Sequence, residues 1–215
     1  MKGVDELGEV IVVDNNSSDN TATLAKEKGA RVVFEPINNI AKSRNKGGEN
    51  AHGEFLIFID ADTLLNTELL KQTLLNLKNK KICVGGSTLF VPNEVSVPIK
   101  LIIKSWNFIS NLMSWAAGCY VYCTKKAFES VGGFDERVYA SEEILFVKAV
   151  KKWGAKRNES FELIKTYPVS TSMRKLEWFS FANLLLTFLI FSIFPFAPRY
   201  KALCFFWYKR PKKVD

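Results

Sequence analysis

Phe55 to Asp62 reads FLIFIDAD, five apolar residues in a row and then two aspartates flanking one alanine. A strand with one wet face alternates apolar and polar residues, so this unbroken apolar run predicts a strand over Phe55 to Asp60 covered on both faces. Val10 to Asp14, VIVVD, has the same character, and Arg31 to Phe34, RVVF, supplies a further short strand. The intervening segments supply the covering helices. Asn15 to Asn20, NNSSDN, has the turn chemistry that ends a strand and caps a helix over Thr21 to Lys28, which Gly29 stops. A second helix runs from about Ile40 to Ala51 and stops at Gly53, and a third, capped by Asn66 or Thr67, runs to about Lys78. Strand–helix alternation with short loops predicts an α/β fold, a doubly wound and mainly parallel sheet flanked by helices.

Sheets of this kind bind ligands in the crevice beyond the carboxyl ends of their strands. Asp14 and the pair Asp60 and Asp62 fall at those ends. Two carboxylates flanking one small residue can hold a divalent cation through oxygen and leave coordination positions for a diphosphate. Mg²⁺ or Mn²⁺ held there would neutralise charge building on a leaving phosphate. Taken alone, the pair is a weak signal and reads more readily as two solvated loop acids.

Composition narrows the alternatives. Lys and Arg outnumber Asp and Glu by 30 to 22, a net charge of +8 that suits an anionic partner. The basic residues gather beside apolar segments and no nucleic-acid motif occurs, so nucleic acid is not expected as a partner. His52 is the only histidine, which excludes a Ser/His nucleophile and a His-rich metal site, and it reads as a surface residue. Cys83, Cys119, Cys123 and Cys204 form neither a CxxC pair nor a zinc spacing, which predicts buried, reduced, cytosolic thiols.

Two stretches are amphipathic or apolar enough to meet a membrane. Between Ser96 and Ala117, Lys100, Lys104, Asn107, Asn111 and Ser114 mark one helical stripe, and Ile99, Ile102, Ile103, Trp106, Ile109 and Met113 another. That helix packs on the sheet or lies in a membrane interface. From Trp178 to Pro198 no residue is charged, and the portion up to Phe194 is about 17 residues, about 26 Å of helix. That length is marginal for a span, and Arg174, Lys175, Arg199 and Lys201 flank both ends. An in-plane or re-entrant segment, a true span and a buried helix all remain open. With Lys209, Arg210, Lys212 and Lys213 after it, the region forms a membrane-prone C-terminal helical segment.

Four blocks occur in order: IVVDNNSSDNT from Ile11, AKSRNKGGENAHGEFLIFIDADT from Ala41, VGGFDE from Val131 and SEEILFVKAVKKWG from Ser141. Together they resemble glycosyltransferase family 2, inverting enzymes of the GT-A fold. In that family the blocks run approximately VVDDGSSDNT, ARNxGxxxAxGE, DxD, GGFDE and an acidic pair opening a helix. The resemblance covers about residues 10 to 155. It implies that Asp14 contacts the nucleobase, that Arg44 lies near the nucleotide, and that Asp60 meets the ribose or the metal region. It also implies that Asp62 ligates the metal and that Glu143, with Glu142 beside it, deprotonates the acceptor hydroxyl. The pair here is Glu-Glu where the family usually has Glu-Asp, and helix N-terminal charge is its structural explanation. Gly132 and Gly133 are expected to end a short helix, and Asp135 to serve a turn.

The apolar, basic-tailed stretch reads as a membrane-associated segment over 171–215, and the resemblance implies an α/β GT-A type catalytic domain over residues 1–170. Its expected partners are a nucleotide-sugar donor, a lipid-linked or glycan acceptor and the membrane surface at the cytoplasmic face, with Mg²⁺ or Mn²⁺ as cofactor. The family normally carries a strand and helix ahead of the VVDD block, and nine residues precede Val10 here. The chain is therefore expected to be short at its N-terminus, and a non-catalytic binding module stands as the alternative to an enzyme.

Overall fold

The computed structural model describes residues 8–79, 83–92, 118–172 and 181–209, together with residues 104, 107, 108 and 179. Most of the 96–117 stripe, Arg174, Lys175, Arg210, Lys212 and Lys213 lie outside the described residues.

β1 (Ile11–Asp14) and β2 (Arg31–Phe34) pair in parallel through α1 (Thr21–Glu27), with Ile11 opposite Arg31 and Asp14 opposite Phe34. Gly29, at φ +83°, turns the chain out of α1 in a conformation that a side chain would strain. α2 (Ile40–Asn50) starts at Asn39, whose side chain accepts a hydrogen bond from the Lys42 backbone N–H. β3 (Phe55–Ile59) and β4 (Thr63–Leu64) then bracket the acidic loop. α3 (Thr67–Lys78) is capped by Asn66 Oδ1, 2.7 Å from the Leu69 nitrogen. The remaining strands are β5 (Cys83–Pro92), β6 (Tyr120–Thr124) and β7 (Ser160–Thr171). α4 (Lys125–Val131) follows β6 directly, and α5 (Glu142–Ala155) precedes β7.

β3 to β7 form one sheet in the order β3-β6-β5-β7-β4. This corrects the mainly parallel expectation. Of the four pairings in that sheet only β5 with β7 is parallel; β3–β6, β5–β6 and β4–β7 are antiparallel. β6 inserts between β3 and β5 and runs against both, and β4 runs against β7.

Helices nevertheless cover both faces, as the unbroken apolar runs require. Along β6, Val121 and Cys123 face one core with Leu56, Phe128, Phe134, Phe146 and Val150, under α2, α4 and α5. Tyr120 and Tyr122 face the other, with Leu69, Leu77, Ile164 and Val169, under α3. β3 divides the same way, Leu56 and Phe58 to the first core and Phe55 and Ile57 to the second. Phe134 stacks on Phe146 at 4.1 Å, and Phe58 meets Phe134 edge-on at 5.0 Å. Each fully buried aromatic contributes about 1.5–3 kcal/mol of transfer free energy, so this cluster anchors α5 to the sheet.

The C-terminal region forms α6 (Phe181–Ile193), a turn at Ala197–Arg199 and α7 (Phe205–Tyr208). Among the described residues no helix is long and apolar enough to cross a membrane, so a spanning segment is not supported. The region is tied to the sheet domain. The Tyr139 N–H donates to the Pro198 carbonyl at 2.6 Å, and the Ile40 N–H donates to Tyr208 Oη at 3.3 Å.

Gly86 offers a direct test of the packing in β5. A Cβ there would collide with the Glu162 carbonyl oxygen and the Tyr122 phenol. Gly86→Ala is expected to lower unfolding free energy by at least about 2 kcal/mol. Gly132→Ala, where a Cβ meets nothing within 4 Å but φ is +78°, costs only about 1 kcal/mol. Urea unfolding compares the two, and equal losses would refute the packing.

Candidate active site

β3 delivers the acidic loop. The Asp60 N–H donates to the Cys119 carbonyl at 3.2 Å and the Asp60 carbonyl accepts from the Thr63 N–H at 3.0 Å, a tight turn into β4. The Asp62 carbonyl accepts from the Ser172 N–H, which fixes the loop against the end of β7. Asp60, Ala61, Asp62 and Ile40 line an open cleft of about 320 Å³. Ile40 is the first residue of α2, so this cleft lies between the start of that helix and the acidic loop.

Arg44 sits one turn beyond Ile40 and reaches three acceptors from three parts of the chain. Its guanidinium donates to Glu142 Oε1 at 2.7 Å, to Asp60 Oδ1 at 3.0 Å and to the Gly118 carbonyl at 2.6 Å. Only 10% of its side chain and 5% of that of Glu142 are exposed, against 45% for Asp60. Burial opposes the Arg44 charge, but Glu142, Asp60 and Glu143 outweigh it and raise the pKa, keeping the guanidinium charged. Its planar fork matches this fan of acceptors, which a lysine cannot reproduce. The resemblance implies a place near the nucleotide for Arg44, and the structure shows its guanidinium among these acceptors.

Glu142 and Glu143 open α5, where the helix dipole favours negative charge. The two differ in surroundings. Glu142 is buried against Arg44, whereas Glu143 is half-buried and lies beside Gly118, where a Cβ would stand 3.1 Å from Glu143 Oε1. Burial, and then the neighbouring Glu142 charge, push the Glu143 carboxyl up to about 7. That poises it to exchange a proton near neutrality.

Asp14 stands at the end of β1, buried, with Oδ1 accepting from the Ser17 N–H at 3.0 Å. Its neighbour Asn15 accepts from the Asn39 N–H, joining the β1 end to the start of α2. The structure thus gathers Arg44, Asp60, Glu142 and Glu143 in one network, with Asp62 on the same cleft, and holds Asp14 one loop away on the other sheet.

Three further contributors carry little signal in the sequence. Asn45 pins the Gly133–Glu136 loop, accepting from the Phe134 N–H at 2.7 Å and donating to the Phe134 carbonyl and Glu136 Oε1. Its place after Arg44 in the second block was the available signal. The Gly118 carbonyl and Tyr208 Oη left no local mark. His52 is a surface residue, 82% exposed at its side chain, as expected. Gly132, left-handed, ends α4, and Asp135 holds Arg137 in its turn. Cys119, Cys123 and Cys204 are buried thiols.

Among the described residues no three His, Cys, Asp or Glu side chains form a metal cluster. Asp60 and Asp62 still fit a hard divalent cation, since both are oxygen donors bordering an open cleft with room for a diphosphate and water.

Residues 5–128, more than half the chain, match the sequence family described as glycosyl transferase family 2. The chain belongs to that family. An uncharacterized glycosyltransferase of Haemophilus influenzae is 32% identical over 104 residues, 45% of this chain and 41% of the relative. The chain therefore spans about two fifths of that protein. Among solved structures, mannosyltransferase PcManGT from Pyrobaculum calidifontis, in complex with GDP-Man and Mn²⁺, superposes with a TM-score of 0.61 at 16% identity. The match covers 91% of this chain and 55% of that one. S. aureus TarS 1–349 in complex with UDP gives 0.58 at 19% identity, over 88% of this chain and 65% of that one. These likenesses show a GT-A-like α/β fold for this family 2 member.

Glu143 predicts a pH signature of stability. Its pKa is raised from 4.5 to about 7, so the native state holds the extra proton and stability falls as pH rises across that window. The cost is absent below about 4.5 and complete above about 7. Glu143→Gln should therefore gain stability over wild type progressively across this range in urea unfolding. A pH-independent difference contradicts the assignment.

Proposed function

We propose that this family 2 member transfers a sugar, with inversion, from a nucleotide-sugar donor of the UDP or GDP class. The acceptor is a hydroxyl or lipid phosphate at the cytoplasmic membrane face, lipid-linked or part of a glycan, and the reaction depends on Mg²⁺ or Mn²⁺. The observation that carries the reading is the meeting of Asp60, Glu142 and Glu143 around Arg44, beside the cleft that Asp62 borders. Solved relatives of the same fold add support. The mannosyltransferase was captured with GDP-Man and Mn²⁺, and glucosyl-3-phosphoglycerate synthase of Mycobacterium tuberculosis with Mn²⁺, UDP and its glucosylated product.

Asp62 and Asp60 would hold the cation, and Asp14 the nucleoside. A bound divalent ion supplies charge stabilisation to the diphosphate as it departs. Glu143 accepts the proton of the acceptor hydroxyl while that oxygen bonds to the anomeric carbon. The bond from that carbon to the donor diphosphate breaks, and the diphosphate leaves with the electron pair. In-line attack from the opposite face inverts the anomeric centre. Glu142, held by Arg44, is the positioning partner, and its charge helps keep Glu143 basic enough to act near pH 7. Arg44 acts behind the site, fixing both Asp60 and the start of α5.

Transfer and donor hydrolysis measured with UDP- and GDP-sugars in Mn²⁺ test the reading. Glu143→Gln is expected to cut turnover by about 10²–10⁴-fold with nucleotide affinity retained. Asp62→Ala should lose Mn²⁺-dependent nucleotide binding as well. Unchanged turnover in both variants would remove the site assignment, and a chain that binds no nucleotide would favour a non-catalytic module.

A further inference from the structure

We infer that the outer face of α6, continued by Phe194 and Phe196, docks in the plane of an anionic lipid bilayer. Leu185, Leu189 and Ile193 recur every four residues along one side of the helix and are 52%, 56% and 59% exposed. Phe194 and Phe196 extend the row at 59% and 64%. The other side is engaged: Thr187 is buried, and Phe191 stacks on Trp207 at 5.5 Å. A contiguous apolar row of this kind marks an interaction surface.

The helix enters the bilayer without crossing it. Its 13 residues span about 20 Å, against about 30 Å of hydrocarbon core. Charge selects a lipid partner over a second copy of the chain. Residues 181–209 contain Arg199, Lys201 and Lys209 and no Asp or Glu. Two such faces brought together would oppose cation to cation, whereas an anionic headgroup layer complements them. Arg199 borders the row directly, its guanidinium 5.7 Å from the Phe196 ring centroid.

The same region reaches the cleft. Lys201 lies 5.2 Å from the Tyr208 ring, and Tyr208 Oη accepts from the N–H of Ile40, which lines the cleft beside Asp60 and Asp62. A chain docked through α6 holds the cleft near the bilayer surface, within reach of a lipid-borne acceptor. That use of the docking rests on the proposed sugar transfer; the docking itself does not.

Co-sedimentation of the full chain with vesicles tests this without donor or metal. Phosphatidylcholine vesicles carrying about 30% phosphatidylglycerol should pellet the wild type, pure phosphatidylcholine should do so weakly, and about 0.5 M salt should weaken the anionic binding. The triple variant Leu185→Asp, Leu189→Asp, Ile193→Asp should bind anionic vesicles at least about tenfold less while keeping its far-UV circular dichroism. Arg199→Glu with Lys201→Glu should lower anionic binding without touching the apolar row. Wild type left in the supernatant, or a triple variant that binds as well as wild type, overturns the proposal. So does a dimer in light scattering that the triple variant dissolves while vesicles bind neither form. Vesicle binding without sugar transfer would defeat the proposed function and leave the docking standing.

Discussion

The Arg44 guanidinium ties together three segments that lie far apart in the sequence. It binds the end of β3 through Asp60, the start of β6 through the Gly118 carbonyl and the start of α5 through Glu142. A carboxylate as buried as Glu142 is tolerable only with a paired cation, and removing one partner of such a pair costs about 3–5 kcal/mol. The acidic cleft therefore exists in this shape because one planar cation satisfies two carboxylates at once. Its consequence for chemistry is a division between neighbours. Glu142 is ion-paired with Arg44, and Glu143, one residue on and beside Gly118, is left to titrate near neutrality.

Close packing makes that geometry possible. Gly48 lets the Phe128 ring approach α2, and Gly133 lets Asn45 reach the loop before α5. These contacts bring α2, α4 and α5 onto one aromatic core and aim the first turn of α5 at the acidic loop. Side chains far from the cleft thus set the spacing of its acids, because an interior at crystalline density passes displacement along rather than absorbing it.

The first half of the fold is legible in the sequence. β2 and α3 fall where their patterns put them, and α1, α2 and β3 end one residue early, because strong local signals agree there: Asn39 and Asn66 cap, Gly29 turns, and apolar runs fill the strands. β5 and β7 hide for a physical reason. Gly85 and Gly86 interrupt one and Pro168 the other, residues that ordinarily argue against a strand, and the pairing accommodates them with register irregularities. The antiparallel course of β6 depends on partners 34 to 69 residues away and leaves no local pattern. In the site, the acids announce themselves by their place at strand and helix ends. The inward fan of Arg44 does not, since its partners Gly118 and Glu142 lie 74 and 98 residues along the chain.

The claim on which the rest turns is that Glu143 and the Asp60–Asp62 loop face one cation-nucleotide site. Carboxylate ¹³C NMR of glutamate-labelled protein, titrated with substoichiometric Mn²⁺ and UDP, addresses it directly, because paramagnetic broadening falls steeply with distance. The Glu142 and Glu143 resonances should broaden first and only when UDP is present, with Glu9 and Glu159 unaffected. Broadening that is no stronger at Glu143 than at Glu159, or that ignores UDP, would contradict the shared site.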